Sequence, residues 1–162
     1  MVGLMINIIN STFEYSLRIL LILNNTKKPL RQERIVYLDF ITCYSQDFGF
    51  TENINGQNSS KKAEIALRRK KIQKALSELV LDGLVKPIDS EYGRVFEITS
   101  SGRHFSEQIS SEYGNKYRII SENVIHKFNN KTDKELLDLI LDFAIFEQAP
   151  YIPSCSCMSL PS

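Results

Sequence analysis

The sequence has almost no excess charge and few cysteines. Its 162 residues contain 20 lysines and arginines against 19 acidic residues, a formal net charge of +1. A chain so balanced has no overall attraction for polyanions, so any binding of nucleic acid must depend on a local patch. The three cysteines, Cys43, Cys155 and Cys157, are too few and too odd in number for a disulfide framework. They favour a reducing, cytoplasmic location.

The signatures of common catalytic sites are also missing. The sequence contains no phosphate-binding loop, no GxSxG elbow and no dinucleotide fingerprint. His104 and His126 have no acid or cysteine at metal-ligand spacing, and Cys155 and Cys157 lack the second ligand pair that a zinc site needs. The sequence therefore predicts a protein that is not an enzyme and that requires no cofactor or metal.

An apolar run over residues 2–23 is long enough to resemble a signal peptide or a membrane span. It is interrupted by Asn7, Asn10, Glu14 and Arg18. A span needs about 20 nearly uncharged residues, and a signal peptide needs a basic start and a small-residue cleavage site. We therefore expect a buried helix here and no association with membranes.

The spacing of the apolar residues predicts a mainly helical fold with one short hairpin. Serine, threonine and glycine residues that favour helix caps and stops mark most of the boundaries. Asp39 falls among apolar neighbours in the second helix, where we expect it on the exposed edge. The predicted helices cover residues 12–23, 31–45, 60–82, 99–113, 115–128 and 132–147, and the predicted strands cover residues 84–88 and 95–98.

The most informative segment is DGLVKPIDSEYGRVFEITSSG, over residues 82–102. A glycine ends the long helix, a turn reverses the chain between two strands, and a hydroxyl caps the next helix. Winged-helix domains have this order of recognition helix, wing and following helix. The predicted fold class is mainly α (α+β), a winged-helix domain with a two-stranded wing and additional C-terminal helices. An ordinary helix–hairpin–helix is the alternative. The predicted organisation is a winged-helix domain over residues 1–112, a helical extension over 113–148 and a flexible tail over 149–162.

The long helix is rich in cations at its start. Seven lysines and arginines lie within residues 61–74, against the single acid Glu64. Such a helix can align with phosphates, although a solvated helix face or a docking site for an acidic protein would have the same composition. No pair has a spacing that indicates base-edge recognition, so any contact would neutralise phosphates without sequence specificity. The candidate nucleic-acid-binding residues are Arg68, Arg69, Lys70, Lys71 and Lys74, with Arg94 of the wing as an accessory.

The last predicted helix is apolar around most of its circumference. It has too many large apolar residues for one buried stripe, so it is either enclosed in the core or partly covered by another chain. We hypothesise the second arrangement, with an ATPase subunit or a second copy of the chain as partner. The candidate partner-binding residues are Leu137, Ile140, Leu141, Phe143 and Phe146.

Three segments together resemble a known family. They are STFEYSLRILLIL, QERIVYLDFITCYSQDFG and ALRRKKIQKALSELVLDGLV, within about residues 10–120. They are similar to the middle component of ABC-three-component systems, a family that includes the small subunit of Lamassu-type bacterial defence systems. The resemblance implies a small winged-helix subunit that assembles with an SMC-like ABC ATPase and with an effector subunit, often a nuclease.

Two functional hypotheses follow. The first is a non-enzymatic assembly subunit of an SMC-like complex in anti-phage or anti-plasmid defence, which bridges ATPase and effector nuclease and contacts double-stranded DNA only secondarily. The near-zero net charge and the resemblance favour it. The alternative is a free-standing winged-helix transcriptional regulator, which the cations of the long helix favour.

Overall fold

The computed structural model describes residues 11–51, 54 and 61–148, with the backbone alone for residues 61–63 and 143–148. This part of the chain forms six α-helices and one antiparallel hairpin, and a short 3-10 helix follows the second α-helix. The elements, in chain order, are α1 (Thr12–Thr26), α2 (Gln32–Cys43), the 3-10 helix (Ser45–Phe48), α3 (Lys61–Leu81), β1 (Val85–Ser90), β2 (Gly93–Ile98), α4 (Ser100–Glu107), α5 (Glu112–Lys127) and α6 (Asp133–Gln148). The prediction of a mainly helical α+β fold is confirmed.

Helix α1 is capped at both ends by local hydrogen bonds. The Ser11 hydroxyl accepts the backbone N–H of Glu14, a side-chain N-cap of the kind the sequence predicted. At the other end Lys27 takes a left-handed conformation, φ 54°, and its N–H binds the carbonyl of Leu23. The helix continues through Asn24 and Asn25 to Thr26, three residues beyond the predicted end at residue 23.

The junction between α3 and the hairpin depends on Gly83. This glycine has φ +74°, and the N–H groups of Gly83 and Leu84 bind the carbonyls of Val80 and Leu79. The two bonds close the helix in a Schellman-type cap, which favours glycine at the left-handed position. The predicted stop of the long helix at this glycine is confirmed.

The sheet is a hairpin with one additional bridge. Strands β1 and β2 pair antiparallel from Val85 opposite Ile98 to Ser90 opposite Gly93. Leu30, between α1 and α2, exchanges backbone hydrogen bonds of 3.0 and 2.8 Å with Phe96 on the other side of β2. The bridge ties the α1–α2 connection to the hairpin.

The structure moves the boundary between two predicted helices. Helix α4 ends at Glu107, and Ser111 caps α5 by accepting the N–H of Gly114, so the predicted extension of the first helix to residue 113 is wrong and the second begins earlier than residue 115. Ser111 offers the backbone a cap at the point where the helix pattern alone predicted continuation.

The start of the last helix follows the predicted capping box. The Thr132 hydroxyl accepts the N–H of Glu135, and the Glu135 carboxylate accepts the N–H of Thr132. Helix α6 begins at the next residue, Asp133, as this spacing predicts.

One hydrophobic core joins α1, α2, α3, α5, α6 and the hairpin. Ile140 belongs to it, with 1% exposure, so its predicted role in binding a partner is wrong: the side chain is covered by its own chain. Leu137 and Leu141 are partly buried, while the side chains of Phe143 and Phe146 lie outside the described residues. Among the described residues, no helix has the length and apolarity required to cross a membrane.

Candidate functional site

A buried cluster of charges lies where α1, α2, α3 and α5 meet. Its centre is Asp39, which is 1% exposed, between Arg18 and Arg68, which are both 0% exposed. Arg18 donates from Nε and Nη2 to the two carboxylate oxygens at 2.8 and 2.7 Å, a bidentate pair, and Arg68 donates from Nη1 to Oδ2. The expectation that Asp39 lies on an exposed edge is wrong, because two arginines satisfy its carboxylate inside the core.

Further polar groups surround this centre. Tyr117 of α5 donates its hydroxyl to Asp39 Oδ1, so the carboxylate accepts four hydrogen bonds from arginine and tyrosine, and the Cys43 thiol lies 4.0 Å from the same oxygen. Glu14 accepts from Arg18 at 3.3 Å, and Glu64 accepts from Arg68 Nη2 at 2.6 Å. The arginines thus meet carboxylates on two sides, as buried charges require.

The protonation states follow from the same contacts. Burial favours a raised pKa for Asp39, but the charges of Arg18 and Arg68 and the hydrogen bonds from Arg18 and Tyr117 together lower its pKa below the ordinary value. Burial favours a lowered pKa for both arginines, and the charge of Asp39 raises each above its usual range. The three groups therefore stay ionised at neutral pH.

This arrangement changes the interpretation of the basic helix. Arg68 was predicted to neutralise phosphates, and that prediction is wrong because its guanidinium is enclosed between Asp39 and Glu64. Arg69 binds Glu33 of α2 at 2.9 Å, with both side chains 40% exposed. Both arginines of this helix therefore form ion pairs within the domain.

The remaining candidate cations lie on the outer side of α3 and on the wing. Lys70 and Lys74 are exposed, and Lys71 is partly buried. Arg94 forms an exposed ion pair of 2.9 Å with Asp89 across the hairpin. It also lines a groove of about 490 Å³ together with Gln73, Ser77 and Leu81 of α3, among others. Since residues three apart on a helix are neighbours, Lys70 and Lys74 adjoin this groove.

The polar residues that were considered as metal or catalytic candidates remain dispersed. His104 has its ring nitrogen 3.1 Å from the Gln108 amide on the same helix, at the surface. Within residues 11–51, 54 and 61–148 there is no group of histidine, cysteine and acidic side chains that could hold a metal ion. Cys155 and Cys157 lie outside these residues.

The fold defines a small, mainly helical domain with one two-stranded sheet and a buried cluster of ion pairs in its core. The model of the family described as ABC-three component (ABC-3C) system Middle Component 2 matches residues 8–146, and the chain belongs to this family. The resemblance to the middle component of such systems is thereby confirmed. No curated protein and no solved structure matches the chain significantly.

The charged residues within the resembling segments converge in the structure. Arg18, Asp39 and Arg68 lie in three separate segments of the sequence and form one ion cluster. Sequence reasoning missed this contact. The available signal was a charged residue at a core position in each of three helices, positive in two and negative in one. Arg68, for example, follows Ile65 by three residues and precedes Ile72 by four.

Proposed function

We propose that this chain is a non-enzymatic accessory subunit that assembles with an SMC-like ABC ATPase and an effector nuclease. The observation that carries the proposal is the family match over residues 8–146. In this proposal the assembly resembles Lamassu-type systems and acts in defence against phages or plasmids. The chain bridges ATPase and effector, while chemistry belongs to those components.

The proposed fold is a winged helix. The order α1, a bridging residue at Leu30, α2, α3, β1 and β2 supports this identity, because Leu30 pairs with β2 through a β-bridge beside the two-stranded hairpin. In this assignment α3 is the recognition helix and the hairpin is the wing. The assignment is independent of any contact with DNA.

Two features of α3 support a scaffold role over DNA recognition. Arg68 stabilises the core and Arg69 pairs with Glu33, so two of the five cations predicted for phosphate contact serve intramolecular contacts. The exposed face of α3 also carries Leu67 and Leu81, which are 54% and 85% exposed. These two leucines add apolar surface beside the lysines of the same helix, and large apolar side chains contribute to the buried centre of protein interfaces.

Co-expression with the ABC ATPase and effector components of its system tests the proposal. A tagged chain should co-purify with both components, and omission of the chain should abolish ATPase–effector association. ATP hydrolysis should occur in the assembly and not in the isolated chain. Failure of the components to co-purify, or an unchanged ATPase–effector complex without the chain, would contradict the bridging role.

A second candidate function is direct contact with duplex DNA, either within the assembly or as a free-standing regulator. The observation that favours it is that Lys70 and Lys74 are exposed on α3, within three residues of Gln73 and Ser77, which line the same groove as Arg94. Such contacts neutralise phosphates and weaken steeply with salt.

We expect the double variant Lys70→Glu with Lys74→Glu to lose most duplex affinity in a fluorescence-anisotropy titration at low salt. The slope of log affinity against log salt should fall by about 0.9 for each phosphate contact removed. A matched control is Arg103→Glu with Lys134→Glu, two exposed cations on other helices. Equal losses in both double variants would indicate nonspecific charge effects, and absence of binding by the unmodified chain would remove this candidate function.

A further inference from the structure

A second groove lies where the start of α1, the end of α3 and α4 meet. It encloses about 290 Å³. Apolar side chains form most of it, and three polar side chains lie at its rim. The groove is lined by Phe13, Leu17, Leu20, Leu79, Leu84 and Phe105, with Ser16, Glu78 and Asp82. We call it the α1–α4 groove.

The α1–α4 groove exposes large apolar side chains over a buried floor. Leu20 and Leu79 are 1% and 3% exposed and belong to the core, whereas Phe13 and Phe105 are 63% and 40% exposed. Aromatic side chains bury large areas when a partner covers them, and they dominate the energetics of protein interfaces. The core of this chain therefore opens to solvent at a place where a partner could extend it.

The rim of the α1–α4 groove is acidic. Glu78 lies in the last turn of α3 and Asp82 directly follows the helix, with its backbone N–H bonded to the Glu78 carbonyl, and neither side chain forms an ion pair with a described residue. The lining contains no lysine, arginine or histidine. A bound segment with a basic group beside its apolar side chains would therefore meet complementary charge, while phosphates of nucleic acid or lipid would be repelled.

The same charges argue against a second copy of the chain as the occupant. Two copies that paired symmetrically through this groove would bring the same surface of each into contact. Glu78 and Asp82 of the two copies would then approach each other, a like-charge arrangement that is unfavourable.

We propose that the α1–α4 groove docks a segment of a partner protein that presents one or two large apolar side chains beside a lysine or arginine. The inference rests on the proposed function, since the partner is a component of the same ABC-3C assembly. It places this interface on α1, α3 and α4, away from α6. A volume of about 290 Å³ accommodates such anchoring side chains but not a whole helix.

The test uses the full-length chain and the co-expressed ATPase and effector components as probe. Phe13→Ala and Phe105→Ala should each raise the dissociation constant of the complex by at least about tenfold, as loss of an interface hot spot does. The double variant Glu78→Lys with Asp82→Lys should also raise the dissociation constant at low salt. The difference in dissociation constant between this variant and the unmodified chain should shrink at higher salt, because salt screens the charges. Circular dichroism and thermal unfolding should show that each variant remains folded.

Ile119→Ala and Tyr92→Ala provide matched controls. Both residues are large and exposed, at 60% and 73%, and neither lines the α1–α4 groove. They should leave the dissociation constant unchanged.

The outcomes separate the two proposals. A complex that forms normally with both phenylalanine variants would overturn the groove inference and leave the accessory role intact. Absence of any complex with the unmodified chain would overturn both. If light scattering instead showed that the unmodified chain is a dimer and that Phe105→Ala converts it to a monomer, the occupant would be a second copy and the proposed partner segment would be wrong.

Discussion

Replacing Asp39 with asparagine is expected to lower the free energy of unfolding by about 3–5 kcal/mol, the usual cost of breaking a buried ion pair by removing one partner. The carboxylate of Asp39 contacts both Arg18 and Arg68, and the substitution leaves two buried guanidinium groups facing a neutral amide. Domains of this size are typically stable by about 5–15 kcal/mol, so the variant should approach the limit of stable folding. Thermal unfolding should show a midpoint lower by on the order of 10 °C.

The matched control for this variant is Asp89→Asn. Asp89 also pairs with an arginine, Arg94, at 2.9 Å, but its side chain is 78% exposed. Exposed pairs contribute about 0–1 kcal/mol, so the midpoint should barely move. An equal decrease of the thermal midpoint in the two variants would show that burial does not determine how much the Asp39 contacts stabilise the fold.

The dependence on pH gives an independent check of the Asp39 variant. Because the folded-state pKa of Asp39 is lowered, its contribution is complete above the unfolded value of about 3.9 and is lost as the pH falls through the folded pKa. The stability of the unmodified chain should therefore decline below about pH 4 more steeply than that of Asp39→Asn. Parallel acid profiles would contradict the assignment of a charged Asp39 in the core.

Replacing Gly102 with alanine is expected to destabilise the protein by about 3 kcal/mol or more, at the upper end of the cost of overpacking. A Cβ atom at this position would overlap the backbone carbonyl oxygen of Leu84 and would lie 2.9 Å from Ile98 Cγ1. Backbone cannot move aside as a flexible side chain can, and Leu84 O already accepts the N–H of Thr99. Chemical denaturation should report the loss as a lower midpoint with little change in slope.

Gly83→Ala separates steric overlap from backbone strain. Gly83 has φ +74°, but a Cβ there meets no atom within 4 Å. Its substitution should cost only the left-handed backbone conformation, about 1–2 kcal/mol. If Gly102→Ala lowered the free energy of unfolding no more than Gly83→Ala does, the steric overlap would be relieved by a shift of α4 away from the hairpin that costs no stability.

The elements that could be predicted from the sequence are those whose signals are local. Gly83 ends α3 because a left-handed residue is required there, and Thr132 and Glu135 start α6 through reciprocal bonds between neighbours in the chain. The hairpin follows from two β-prone runs around a turn. Each of these signals lies within a few residues of the structure that it specifies.

The contacts that could not be predicted join residues far apart in the chain. Periodicity shows which face of a helix is apolar, but it does not show which charge on another helix will neutralise Arg68 or Asp39. One residue of the partner face predicted for the last helix, Ile140, was assigned wrongly for a related reason, since it is covered by other elements of the same chain. The exposed pair of Phe13 and Phe105 becomes visible only when α1 and α4 are brought together.

The single carboxylate of Asp39 also affects how the chain unfolds. It lies on α2 and accepts hydrogen bonds from one side chain on each of three other helices. These are Arg18 of α1, Arg68 of α3 and Tyr117 of α5. Separating any one of these helices from the others uncovers an unbalanced charge or an unpaired buried group, so partial opening costs nearly as much as complete opening. Backbone amides across all four helices should therefore exchange with solvent through one cooperative event.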